Sequence, residues 1–178
     1  ERLPRPICLY CGSPLSRTPE VHDCCERCQG HPRTFSFARS ALVQTEQNMQ
    51  LIHLLKYRRG AYLADRLAPL LEEVWRDSTQ LRDFGAGALV PVPVTRRQLS
   101  RRGYNQAAEM ARFLSKRLRL PVLHALERRE TPRGTQTRLG ARSRLLNALS
   151  AFHTTTSFTK GRRSLPERVI LIDDVYTT

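Results

Sequence analysis

The feature that most constrains this chain stands at its end, where Val169-Ile170-Leu171-Ile172 runs directly into Asp173-Asp174-Val175-Tyr176-Thr177-Thr178. Four consecutive aliphatic residues followed by two acids read as a strand covered on both faces, the pattern of a central strand in a parallel sheet. In an open α/β sheet, ligands sit in the crevice beyond the carboxyl ends of the strands. Asp173 and Asp174 therefore fall where chemistry is expected. A carboxylate pair accepts hydrogen bonds from a diol or holds a hydrated cation. The hydroxyls and backbone N–H groups of Thr177 and Thr178 suit an anion. A diol beside a phosphate describes a ribose 5-phosphate. Apolar strands ending in Asp-Asp also occur in receiver domains and hydrolases. A nucleotide-triphosphatase reading fails, because no Gly-x4-Gly-Lys-Ser/Thr occurs in the chain.

The 178 residues suffice for one main domain with a small appendage. No apolar run approaches the ~20 residues that a membrane helix needs, and no secretory leader is recognisable at the start. Charge is segregated. Between Arg96 and Arg163 stand 17 Lys/Arg against three acids, Glu109, Glu127 and Glu130, while the rest of the chain balances at 13 of each sign. Arg supplies 27 of the 30 cations, and its planar fork grips phosphate bidentately. A basic half beside a neutral half points to a polyanionic partner, either a pyrophosphate-bearing substrate or nucleic acid.

All five cysteines lie within the first 28 residues: Cys8, Cys11, Cys24, Cys25 and Cys28. The two C-x2-C turns, Cys8/Cys11 and Cys25/Cys28, have the spacing of a pair of zinc knuckles that present four thiolates to one tetrahedral ion. Cys24 is the odd thiol; it, His22 or His31 could substitute for a ligand, but the symmetry of the turns favours Cys25. An odd thiol count and a cysteine-free body fit a reducing cytoplasm better than a disulfide framework. Four thiolates leave no open position for a substrate, so the zinc is expected to be structural. These features divide the chain into a zinc-knuckle domain, residues 1–34, and a main domain, residues 35–178.

Alternate Phe35, Phe37, Ala41 and Val43 predict an edge strand or hairpin. Met49, Ile52 and Leu55, then Leu63, Leu67, Leu70, Leu71 and Val74, recur at helical spacing around a break at Arg58-Arg59-Gly60. Lys56-Tyr57-Arg58-Arg59 reads first as a solvated helix end. A second buried strand, residues 88–94, ends at Pro91 and Pro93. After it come Arg101, Arg102, Gly103, Asn105 and Gln106, with guanidiniums to reach a pyrophosphate, a glycine to let the backbone approach it and two neutral amide donors. Ala107, Ala108, Ala111, Leu114 and Leu118 then form a small-residue helical face. The polar stretch from Arg128 to Asn147, containing Gln136 and Arg144, cannot pack a core and reads as a lid or a disordered tract, with Gly134 and Gly140 as hinges.

Taken together, Cys8-x2-Cys11, Cys25-x2-Cys28, Leu54-Leu55-Lys56-Tyr57, Pro91-Val92-Pro93, Arg102-Gly103-Tyr104-Asn105-Gln106, Thr135-Gln136-Thr137 with Arg144-x2-Asn147 and Ala151-Phe152, and the terminal Asp-Asp run resemble the ComF/GntX family of phosphoribosyltransferase-like proteins. The resemblance implies a type I phosphoribosyltransferase-like α/β fold, a parallel sheet with flanking helices behind a small zinc ribbon. The sequence stops within the phosphoribosyl-pyrophosphate (PRPP) loop. It further implies a cytoplasmic protein and, for the competence branch, handling of single-stranded DNA with partner proteins of the competence machinery. Carried over by position, Asp173, Asp174, Thr177 and Thr178 match the ribose-phosphate motif, and Arg102, Asn105 and Gln106 match the family's basic segment. If active, such a protein transfers a ribosyl phosphate from PRPP with Mg²⁺. No residue stands out as general base.

Overall fold

The computed structural model describes residues 5–15, 24–30, 34–57, 60–130 and 151–176. Thr177, Thr178, Gln136, Arg144 and Asn147 lie outside them.

The periodic apolar stretches form the helices they predict. Helix α1 (Glu46–Lys56) is capped by Thr45, whose hydroxyl accepts from the Asn48 amide at 3.2 Å. A 3-10 turn at Gly60–Tyr62 leads into α2 (Leu63–Asp77), followed by the short α3 (Thr79–Asp83). A Cβ at Gly60 would stand 2.1 Å from the Leu54 carbonyl oxygen, so only glycine lets the chain fold back so tightly on the end of α1. Strand β1 (Ala88–Pro91) is buried along its whole length. It is followed by α4 (Arg96–Arg102), α5 (Gln106–Leu118), β2 (Leu126–Arg128), β3 (Phe152–Thr154), a one-turn helix Thr156–Thr159 and β4 (Val169–Ile172).

Strands β1 and β4 pair in parallel, from Ala88↔Val169 to Pro91↔Ile172. On the other edge of β1, Leu89 exchanges backbone bonds of 2.9 Å with Pro121 and Leu123. Strands β2 and β3 form a separate antiparallel ribbon, Arg128 opposite Phe152. The result is a mixed α/β body with flanking helices. Its core joins Leu55, Ala64, Leu89, Met110, Ala111, Leu114 and Ile172. Ala107 and Ala111 are fully buried, letting α5 lie close to the sheet as the small-residue face requires. Burial of each large aliphatic here contributes about 1.5–3 kcal/mol.

Three expectations are corrected. Strand β4 is not covered on both faces: Ile172 is buried, but Leu171 is 57% exposed. With a period of two, Ile170 and Ile172 turn to the helices while Leu171 points to the opposite face. Residues 34–45 form no strand ladder among the described residues. Their aromatic rings find ring partners instead, Phe37 edge-to-face with Phe84 at 5.2 Å and Phe35 with Tyr176 at 6.2 Å. Residues 96–102, for which the sequence suggested no element beyond the reach of Arg101 and Arg102, are helical because Thr95 and Gln98 form a reciprocal capping box.

The cysteine segment makes two tight turns. The Gly12 amide donates to the Cys8 carbonyl at 2.9 Å, and the Cys28 amide to the Cys25 carbonyl at 2.8 Å. This segment is tied to the body by the Ala38 amide, which donates to the Tyr10 carbonyl at 2.6 Å, and by Arg39. The Arg39 guanidinium donates to the Leu9 carbonyl at 3.0 Å and to the Gln80 side chain of α3. No helix among the described residues is long and apolar enough to cross a membrane.

Candidate functional site

Asp173 and Asp174 leave the carboxyl end of β4 beside the start of α5, and the contacts there are built from distant parts of the chain. The Asp174 side chain is only 6% exposed. Lys56, the last residue of α1, places its Nζ 2.6 Å from Asp174 Oδ2. Gln106 Nε2 donates to Asp174 Oδ1 at 3.5 Å, and Arg102 Nη1 donates to Gln106 Oε1 at 3.0 Å. A continuous relay therefore runs from guanidinium through amide to carboxylate, with an ammonium closing the other side. Arg102 Nε is buried and has no hydrogen-bond partner among the described residues, a donor still available in the site.

Asp173 is exposed, and its Oδ1 accepts from the Asp174 amide at 2.9 Å. Dense surroundings and the neighbouring Asp174 carboxyl push its pKa up to about 6, against a smaller opposing pull from Lys56. Ionising Asp173 beside its neighbour is therefore costly while the site is empty, as it is for adjoining carboxylates in general.

The end of α1 is a site element rather than a solvated terminus. Tyr57, next to Lys56, has the guanidinium carbons of Arg101 and Arg102 each 5.3 Å from its ring centre, and Arg101 Nη2 donates to its hydroxyl at 3.2 Å. Tyr104 fixes this arrangement by donating its hydroxyl to the Leu55 carbonyl. In the sequence Lys56 stands out as a cation at a helix end and within the Leu54-Leu55-Lys56-Tyr57 run of the family resemblance; no local pattern announces its partner just beyond β4.

The remaining residues of the basic segment have local duties. Gly103, with φ of 82°, ends α4 in a left-handed cap, while a Cβ built on it meets nothing within 4 Å. Its glycine is required by conformation rather than by crowding. Asn105 caps α5, its Oδ1 accepting from the Ala107 amide at 3.0 Å, and its Nδ2 donates to the Val92 carbonyl at 3.0 Å. Asn105 thereby holds the end of β1 against the start of α5 and aims Gln106 at Asp174. Arg128, expected at the start of a lid, is the last residue of β2, with its guanidinium 5.2 Å from the centre of the Phe152 ring.

A second cluster gathers the sulfurs of Cys8, Cys11, Cys25 and Cys28 within 4.8 Å of one another. Cys8 and Cys11 are fully or nearly fully buried, and the Cys25 amide donates to the Cys8 sulfur at 3.3 Å. Although burial opposes ionisation of Cys8, the amides of Cys11 and Cys25 pull its pKa down to about 6. Desolvation and the neighbouring thiols push Cys28 up to about 12. Four crowded sulfurs cannot all become thiolates without a cation among them, so the donor set fits a soft divalent metal such as zinc. Cys24 stays outside this set, its sulfur turned to the Cys25 carbonyl at 3.5 Å.

Comparison with curated proteins finds relatives along nearly the whole chain. It is 31% identical over 175 residues to Competence protein F of Haemophilus influenzae, covering 97% of this chain and 73% of that one. Two proteins called DNA utilization protein YhgH are similarly related. The Escherichia coli protein is 30% identical over 185 residues (99% of this chain, 74% of the relative), and the Salmonella typhimurium protein 32% identical over 180 residues (97% and 72%). No protein-family model matches the chain. No solved structure matches it.

Proposed function

Because this chain belongs to the ComF family, we propose that it acts in DNA uptake or utilisation as a phosphoribosyltransferase-like protein that binds PRPP or another ribose phosphate. The names of its relatives, Competence protein F and DNA utilization protein, support the first half of that reading. The second half rests on one observation. Gln106 joins Arg102 to Asp174 across 68 residues of sequence, bringing a phosphate-gripping group and a diol-accepting group to one end of the β1–β4 sheet. In this reading Asp173 and Asp174 hold the ribose hydroxyls, Thr177 and Thr178 the 5-phosphate, and Arg101 and Arg102 the pyrophosphate, with Mg²⁺ as companion of the ligand. Asn105 positions Gln106. The fold is of the type I phosphoribosyltransferase kind, and the cytoplasm is its compartment. The stretch from Arg128 to Asn147 serves as lid, and residues 1–34 form a knuckle held by structural zinc on Cys8, Cys11, Cys25 and Cys28. Pentosyl transfer is the reaction such a site would run, with Arg101 and Arg102 neutralising the departing pyrophosphate.

A second reading, a single-stranded DNA-binding module on the same scaffold, is favoured by the excess of 14 positive charges between Arg96 and Arg163. It is also favoured by two guanidinium–ring stacks, Arg112 on Phe113 at 4.1 Å and Arg128 on Phe152 at 5.2 Å. Calorimetry with PRPP and Mg²⁺, with a short single-stranded oligonucleotide, and with the two in competition separates the readings. The expected result is PRPP binding that Asp174→Asn abolishes and oligonucleotide binding that it spares. Undiminished PRPP binding by folded Asp174→Asn protein would remove the acid pair from the site.

A further inference from the structure

Both halves of the site just described are already filled by consecutive residues of the chain itself. Lys56 puts a cation on the carboxylate where a diol is proposed to bind, at 2.6 Å. Tyr57 puts a phenol oxygen on Arg101, at 3.2 Å, with both guanidiniums over its ring where a phosphate is proposed to bind. We propose that the Lys56–Tyr57 step at the end of α1 is an internal stand-in for the ligand, and that a ribose phosphate carrying a pyrophosphate enters by displacing both side chains together. The inference rests on the site reading above and deepens it by saying how the empty site is kept closed.

Three observations carry it. First, a buried carboxylate with no partner is costly; Lys56 and Gln106 are the groups that relieve Asp174 in the empty protein. Second, Tyr57 makes contacts that an anion would make. Its oxygen accepts from Arg101 Nη2 at 3.2 Å, and Arg102 and the charge of Arg101 favour its ionised form, holding its pKa below the usual phenol range. Third, the step sits at a hinge: α1 stops at Lys56, Tyr57 is extended (φ −134°, ψ 176°), and the tight Gly60 turn follows. Among the described residues, the backbone bonds across that turn run from the Tyr57 amide to His53 and Leu54 and from the Gly60 amide to Tyr57, at 3.1–3.2 Å. A ligand must outcompete this internal occupant, so its apparent affinity is reduced by the fraction of molecules in which the occupant is seated.

The test is calorimetry with inorganic pyrophosphate and with PRPP–Mg²⁺ on wild-type, Tyr57→Ala and Tyr57→Phe protein, joined to amide hydrogen exchange. Freed of its occupant, Tyr57→Ala is expected to bind pyrophosphate about tenfold more tightly. Tyr57→Phe keeps the ring packing and loses only the hydroxyl, giving a smaller gain in the same direction, and guards against a misfolded alanine variant. In wild-type protein the Tyr57 and Gly60 amides should exchange faster with PRPP bound than without it, the reverse of ordinary protection by a ligand. Unchanged or weaker pyrophosphate binding in both variants, or slower exchange at these amides, would show that Tyr57 is a fixed wall of the site. PRPP binding by the wild type without any gain in the variants overturns this inference alone. Binding of neither ligand by any of the three proteins overturns the site reading and this inference with it.

Discussion

The cysteine cluster and the acid–guanidinium site solve opposite electrostatic problems. Cys8, Cys11, Cys25 and Cys28 crowd four groups of one kind within 4.8 Å, and their ionisation requires a cation from outside. Lys56, Arg102, Gln106 and Asp174 bring unlike groups together, and their charges largely balance with no visitor present, although Arg102 Nε and Asp174 Oδ2 lack a hydrogen-bond partner among the described residues. A site of like groups therefore cannot ionise until it is loaded, whereas a site of unlike groups is largely neutralised while empty and must open to work. The first is expected to lock and the second to exchange.

The largest effect that could break this contrast is metal removal. Zinc on four thiolates contributes on the order of 10 kcal/mol to ordering such a segment. Chelation or Cys25→Ser should therefore abolish the fold of the knuckle, while Cys24→Ser keeps one metal per chain by elemental analysis. Full zinc in Cys25→Ser with loss in Cys24→Ser would transfer the ligand role. Next in size is salt dependence. An oligonucleotide contacting about six phosphates through the Arg96–Arg163 surface should weaken roughly a thousandfold between about 50 and 200 mM salt, while PRPP in a pocket responds far less. Similar slopes for the two ligands would merge the pocket with the surface.

Smaller effects probe the relay itself. Gln106→Leu removes the acceptor of Arg102 Nη1 and the donor to Asp174 Oδ1 together and should cost about 1–3 kcal/mol in urea unfolding; a neutral outcome would mean that the relay bonds are not kept in solution. Asp173 gives the mildest signal. Its folded pKa of about 6 lies above the ordinary 3.8, so between those values the folded protein holds more protons than the unfolded one. Stability should therefore fall as pH rises from about 4 to about 6, with the full penalty present above that range. In Asp173→Asn the fall should be absent, and wild type and variant should run parallel below about pH 4 in urea midpoints. Parallel curves across the whole range would mean that Asp173 titrates as it does in the unfolded chain.

What the sequence revealed divides along the same line. The metal cluster was legible because its ligands repeat at fixed short spacing, and α1, α2 and α5 because apolar periodicity is local. The acids of β4 were legible as a strand end. The pairing of Lys56 is not, since its partner Asp174 lies just beyond β4, far along the chain, and neither residue carries a mark of the other. Strand β2 offers no period in its three residues, and the Thr95-x2-Gln98 signature of α4 stands among arginines that suggest a basic loop. The alternation at Phe35 and Phe37 was real but served ring-on-ring packing with Tyr176 and Phe84 rather than a strand.

The relay also sets an order in time. The cysteine turns close over short spans, the Cys25 amide reaching Cys8 across 17 residues, while Gln106 meets Asp174 only after 68. Longer loops cost more entropy to close and slow the contacts they join. Asp174 also leaves a ribosome long after the cysteines do. A nascent chain can thus take up its metal while the binding site does not yet exist, and the knuckle, tied through Arg39 to Gln80, is in place as a fixed end against which the later body folds.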